Sequence, residues 1–157
     1  MTRLRGRSLK GNRVYDKAPH GHWYSNTMLS SIDSKGQTHC MVFDNALTAD
    51  IFCIYLREVL GPKLNEGDIV VMDNLRAHKT AAAKQLIEAA GAQVLFLPAY
   101  SPDLNPIEKM WSKVKEFLRA FKARTLQQLH HAIGLALDSI SSNDAIAWFH
   151  YCGYTFK

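Results

Sequence analysis

The sequence predicts an α/β fold, a mixed sheet flanked by helices, and three observations carry that reading. Two apolar, alternating segments joined by a tight turn follow the basic start of the chain. Two short apolar runs bounded by turn residues, 68–73 (DIVVMD) and 93–97 (QVLFL), then interleave with helical patterns. Helical periodicity fills the remainder, so strand faces are buried under layers of helix. At 157 residues and 47% hydrophobic content, the chain has the length and apolar mass of one domain with one sizeable core.

In chain order, residues 22–33 (HWYSNTMLSSID) and 38–43 (THCMVF), joined by Ser34, Lys35, Gly36 and Gln37, form an antiparallel hairpin. Residues 48–60 (TADIFCIYLREVL) repeat apolar side chains through Ile51, Ile54, Tyr55 and Val59 and stop at Gly61 and Pro62, which predicts a helix. Residues 68–73 form a buried strand. The alanine-rich stretch 80–90 closes on Gly91, a natural helix terminator, and 93–97 is the next strand. A helix over 106–121 buries Ile107, Met110, Trp111, Val114, Phe117, Leu118 and Phe121. Thr125 and Gln128 make a capping box for a helix with Leu126, Leu129, Ile133, Leu137 and Ile140 on one side, and a short helix covers about 143–151.

Composition narrows the functional classes. No apolar run approaches the ~18 residues of a membrane span, and no apolar stretch follows the basic start, so a cytoplasmic protein is expected. Cys40, Cys53 and Cys152 are odd in number and widely spaced, which predicts buried reduced thiols rather than disulfides or a zinc site. Residues 1–17 carry Arg3, Arg5, Arg7, Lys10, Arg13 and Lys17 against Asp16, and so hold the whole net charge of +5. A second basic stretch, 109–124, holds Lys109, Lys113, Lys115, Arg119, Lys122 and Arg124 against Glu116. Two such segments favour a polyanionic partner such as nucleic acid. Neither GxxxxGK[ST] nor GxGxxG occurs, which argues against a nucleotide-binding α/β protein.

The stretch AYSPDLNPIEKMW (99–111) is richer in turn residues than a helix start requires. Asn105 suits the N-cap, Pro106 the first helical position, and Glu108 the third, where a carboxylate can reach back to the cap. Ligands in open α/β sheets collect beyond the carboxyl ends of parallel strands. Asp73 ends one strand and Glu108 follows the loop leaving the next, so the two carboxylates can converge. Hard oxygens of this kind suit Mg²⁺ or Mn²⁺, which assist phosphodiester cleavage.

The segments IVVMDNLRAHK (69–79) and FLPAYSPDLNPIEKMWSKVK (96–115) resemble the second and third catalytic blocks of bacterial insertion-sequence transposases of the mariner superfamily, the DDE type. The 34 residues between Asp73 and Glu108 match that family's spacing, and the likeness extends over nearly the whole chain. It implies a ribonuclease-H-like fold over residues 1–157 that cuts element ends and transfers 3′-hydroxyls to target DNA, with three carboxylates and two metals. On that reading Asp73 and Glu108 are catalytic and metal-binding, and Asn74, His78, Asn105 and Pro106 support them. Arg3, Arg5, Arg7, Lys10, Lys79, Lys109 and Lys113 are the candidates for DNA contact, and a homodimer is the expected active form.

One feature departs from the family. Its first catalytic Asp lies on a central strand just before the point where this sequence begins, and no helix-turn-helix region is expected in these residues. Asp44 would lie about 14 Å from the Asp73 strand, too far to share a metal. Asp33 is expected at the far end of the hairpin and Asp16 in the basic arm. Two expectations follow: either an upstream segment supplies the strand and its acid, or the product is catalytically inactive and at most binds DNA or intact transposase.

Overall fold

The structure, a computed structural model, describes residues 7–15 and 26–155. The hairpin is present as β1 (Asn26–Ile32) and β2 (Thr38–Asp44), antiparallel from Asn26 opposite Asp44 to Ile32 opposite Thr38. Asp33 Oδ1 closes its turn by accepting the N–H groups of Lys35 and Gln37 at 2.9 and 2.8 Å. Gly36 is required there twice over. Its φ is +85°, and a Cβ would lie 3.0 Å from the carbonyl oxygen of Ser141.

Thr48 caps α1 (Ala49–Tyr55), which widens into a π turn over Leu56–Leu60 and tightens into a 3₁₀ turn over Gly61–Lys63. The buried face agrees with the expected one at Tyr55 and differs elsewhere: Phe52, Leu56 and Leu60 are interior too, whereas Ile54 is 46% exposed. Phe52, Tyr55 and Leu56 also have i, i+3, i+4 spacing, and a Phe52 ring has more apolar area to bury than the Ile54 side chain.

β3 (Ile69–Met72) and β4 (Gln93–Phe96) are parallel, with Ile69 opposite Gln93 and Met72 opposite Phe96. Between them runs α2 (Ala81–Ala89), capped by Thr80 and followed by Gly91 at φ +79°. Three helices follow: α3 (Pro106–Phe121), α4 (Leu126–Asp138) and α5 (Ser142–Tyr151). In α4 the expected capping box is offset, because Gln128 accepts from the N–H of Arg124 rather than from that of Thr125. A full capping box, Ser141 with Asp144, instead opens α5.

The expected single mixed sheet is divided. Among the described residues β1 pairs only with β2, and β3 only with β4. Two apolar clusters lie on opposite faces of the hairpin. One joins Leu29 and Met41 to α1, α2 and the β3–β4 pair; the other joins Met28, Ile32 and Val42 to the last three helices. In the second, Met110, Val114 and Leu118 of α3 meet Ala132, Ile133 and Ala136 of α4, while the expected Leu126 and Phe121 are 52% and 39% exposed. The two alanines, fully buried, provide the close approach that larger leucines would block.

Of the three thiols, Cys152 is buried, whereas Cys40 and Cys53 are only half-buried; all are free. Burial pushes the Cys40 thiol up to about 11, which keeps it a poor nucleophile. Among the described residues no helix is long and apolar enough to cross a membrane.

Candidate active site

Asp73 follows the last residue of β3, and its side chain is 59% exposed. Two groups hold it through one oxygen: the Leu75 N–H donates to Oδ1 at 3.0 Å, and His78 Nδ1 lies 2.8 Å from the same atom. A carboxylate there only accepts, so Nδ1 carries the proton. His78 lies in the 3₁₀ turn Arg76–Lys79 and is not a surface residue: its side chain is 13% exposed and its ring sits 4.4 Å from that of Phe52. Asn74 donates its side-chain N–H to the carbonyl of Leu97, tying the end of β3 to that of β4.

Glu108 stands in the first turn of α3, where Asn105 is the N-cap and accepts from the Ile107 N–H at 3.4 Å, and Pro106 occupies the first position. The expected reach of Glu108 back to the cap is not made. The Asn105 N–H donates to the carbonyl of Pro102 instead, and among the described residues the Glu108 carboxylate has no hydrogen-bond or ion-pair partner. The 3₁₀ turn Pro102–Leu104 precedes it, and Tyr154 fastens that turn from the other end of the chain by donating its hydroxyl to the Leu104 carbonyl at 2.9 Å. Asp73, Asn105 and Glu108 line one cavity of about 250 Å³ with Tyr100, which is fully exposed at φ +58°.

Asp73 and Glu108 therefore line one cavity at the carboxyl end of the parallel pair, each with an oxygen that has no hydrogen-bond partner among the described residues. Such hard donors fit part of the shell of Mg²⁺ or Mn²⁺. They do not complete one: among the described residues no group of three or more His, Cys, Asp or Glu is placed to hold a metal ion. Asp33 is engaged in the hairpin turn and Asp44 closes β2.

The basic candidates fall into three groups. Arg7 and Lys10 are exposed, whereas Arg3 and Arg5 lie outside the described residues. Lys79 and Lys109 lie over aromatic rings, 5.8 Å from that of Phe96 and 3.8 Å from that of Tyr151. Lys113 is committed to the fold, donating to Asp144 Oδ2 and to the Ser139 carbonyl, both at 2.8 Å. Sequence reading missed Phe52 and Tyr154, which reach the site from 26 and 50 residues away in the chain and have no local motif.

The family model described as DDE superfamily endonuclease matches residues 1–130. Among solved structures, the chain resembles the crystal structure of the Mos1 strand transfer complex, with a TM-score of 0.73 at 17% identity over 99% of this chain. It spans about half, 51%, of that chain. It also resembles the crystal structure of the catalytic domain of Mos1 mariner transposase, with a TM-score of 0.57 at 15% identity over 81% of this chain and 74% of that one. At these identities the likeness is one of fold. Comparison with curated proteins finds no match. With five-sixths of its length matched by the family, and with its acidic residues converging at one strand end, the chain belongs to the DDE superfamily endonucleases.

Proposed function

We propose that this domain is the catalytic part of a transposase, cleaving DNA at the ends of a mobile element and transferring the 3′-hydroxyls to target DNA, with Mg²⁺ or Mn²⁺. The carrying observation is the convergence of Asp73 and Glu108 on one solvent-open cavity, with carboxylate oxygens that the fold leaves uncommitted. A divalent cation bound there supplies Lewis acidity to the phosphodiester and activates water. Asp73 and Glu108 would hold it; His78 orients Asp73, and Asn105 and Pro106 aim Glu108 by starting α3 where they do. Arg7 and Lys10, exposed in the basic arm, are suited to the phosphate backbone, as are Arg3 and Arg5.

The ribonuclease-H-like reading calls for a third carboxylate on a central strand, and we assign it to a segment upstream of Met1 in a longer product that acts as a homodimer in the cytoplasm. The test is metal-dependent nicking of supercoiled plasmid DNA by that longer product. Loss of nicking in Asp73→Asn and Glu108→Gln, with folding retained, supports the reading. DNA retention without nicking in either Mg²⁺ or Mn²⁺ would make it a DNA-binding product without catalysis.

A further inference from the structure

Tyr100 combines two features that its surroundings do not explain. Its side chain lies wholly in solvent, and its backbone sits in the left-handed region at φ +58°. That region favours glycine or asparagine, so a bulky aromatic residue held there is strained. Among the described residues the ring makes no aromatic contact and the hydroxyl no hydrogen bond. Nothing in the described fold offsets the strain or the cost of leaving an aromatic ring in water. The loop is nonetheless fixed. Asn74 ties the carbonyl of Leu97 to the end of β3, and the Ser101 carbonyl accepts the Leu104 N–H at 3.2 Å as the chain turns toward Asn105. The ring is thus presented to solvent from a braced backbone.

The cavity that Asp73 and Glu108 line takes one exposed apolar side chain from the loop of each carboxylate: Leu75 beside Asp73, and Tyr100 ahead of Glu108. The outer face of α3 carries positive charge away from the same point. Ser112, Lys115 and Arg119 follow Glu108 at intervals of four, three and four residues, which puts all four on one side of the helix, and all are exposed. At 1.5 Å per residue, Lys115 and Arg119 stand about 10 and 16 Å along the axis from Glu108. A polyanion suits this stripe, and a flat aromatic partner suits the ring. A DNA strand supplies both, because it carries a base beside every phosphate.

We propose that Tyr100 stacks on the nucleobase adjoining the phosphate at Asp73 and Glu108, with Leu75 as a second apolar contact and the strand's backbone continuing along Lys115 and Arg119. The proposal rests on the transposase reading above and adds to it a requirement on the substrate. Tyr100 needs a base with a free face, as at a nick, a strand end or an unpaired position, because a base inside a continuous duplex is stacked on both sides. Stacking of this kind tolerates any base, since every base has a π-face. Tyr100 supplies no proton or electron pair to the reaction; it fixes where the strand lies relative to the carboxylates.

The experiment measures binding of the full chain, in Mg²⁺, to three duplexes of one sequence: fully paired, with one unpaired adenine, and with an abasic site in place of that adenine. The abasic duplex keeps the break in pairing but offers no base. The parent is expected to bind the unpaired adenine about fivefold or more tighter than the abasic site. Tyr100→Phe keeps that ratio. Tyr100→Gly brings it to about one, with Tm at or above the parent's because glycine accepts the left-handed backbone. Lys115→Gln combined with Arg119→Gln weakens all three duplexes alike and makes binding less dependent on salt. A ratio that survives in Tyr100→Gly overturns the proposal, and so does a ratio of one in the parent. A Tm that falls in Tyr100→Gly also overturns it, because the ring is then packed against protein. Unchanged binding in the double variant overturns the path along α3. Binding of all three duplexes without the ratio leaves the transposase reading standing, whereas binding of none counts against that reading and removes the proposal with it.

Discussion

Asp73 and His78 are joined through a single carboxylate oxygen, Oδ1, 2.8 Å from His78 Nδ1, while among the described residues Oδ2 carries no hydrogen bond. The histidine, wedged against Phe52, fixes the rotation of the carboxylate and so the direction in which the second oxygen is offered. In the longer product proposed above, replacing His78 by Ala is expected to reduce cleavage by about 10–100-fold, chiefly by raising the metal concentration needed. His78→Asn, whose amide can donate to Oδ1, should recover part of the loss. Metal titration of nicking separates this role from a structural one, because a variant that merely unfolds loses activity at every metal concentration.

Glu108 and Asn105 divide two tasks that the sequence assigns to one motif. Asn105 accepts the helix N–H, whereas the Glu108 carboxylate makes no cap bond. Asn105→Ala should therefore cost about 1 kcal/mol of stability. Glu108→Gln should stay within about 0.5 kcal/mol of the parent, as for a surface change that breaks no contact, yet abolish cleavage. Urea denaturation of both variants beside the nicking assay checks the division; a large loss of stability in Glu108→Gln would return that residue to a capping role.

The Lys113–Asp144 pair gives stability a definite acid limit. The Lys113 ammonium, then the Ser141 hydroxyl and N–H, hold the Asp144 carboxyl down from 3.8 to about 2. With the folded value below the unfolded one, the contribution is fully present above about pH 4–5 and is lost as pH falls through about 2. Asp144→Asn should lower Tm at neutral pH and flatten its decline between about pH 4 and 2. Thermal melts across that range test the sign.

Much of this arrangement is legible in the sequence because it is local. The helix over 106–121, its Asn105 cap and the two short strands follow from turn residues and apolar runs within a few positions of one another. The positions of Asp73 and Glu108 are legible too, since one follows the end of a strand and the other lies in the first turn of a helix. What escaped is set by contact across the fold. The buried face of α1 is decided by which side meets α2 and the β3–β4 pair, and Phe52 wins over Ile54 there by size. Lys113 reads as a basic surface residue until α5 brings Asp144 within 2.8 Å. The division into two sheets depends on which strands pair, and apolar patterning marks strands without naming their neighbours.

Tyr154 reaches the site from the far end of the chain. Its hydroxyl donates to the Leu104 carbonyl at 2.9 Å, its ring meets Phe149 edge-on at 5.7 Å, and burial raises its pKa. The turn it holds is the one from which Asn105 and Glu108 follow. Tyr154→Phe keeps the ring contact and removes only the hydrogen bond, which should cost about 1 kcal/mol of stability. Because the loosened turn carries Glu108, kcat for cleavage should fall more than the affinity for DNA, and Tyr154→Ala should lose both ring packing and rate. Single-turnover cleavage measured beside DNA binding tests this. Equal kcat in Tyr154→Phe and the parent would show that α3 alone positions Glu108.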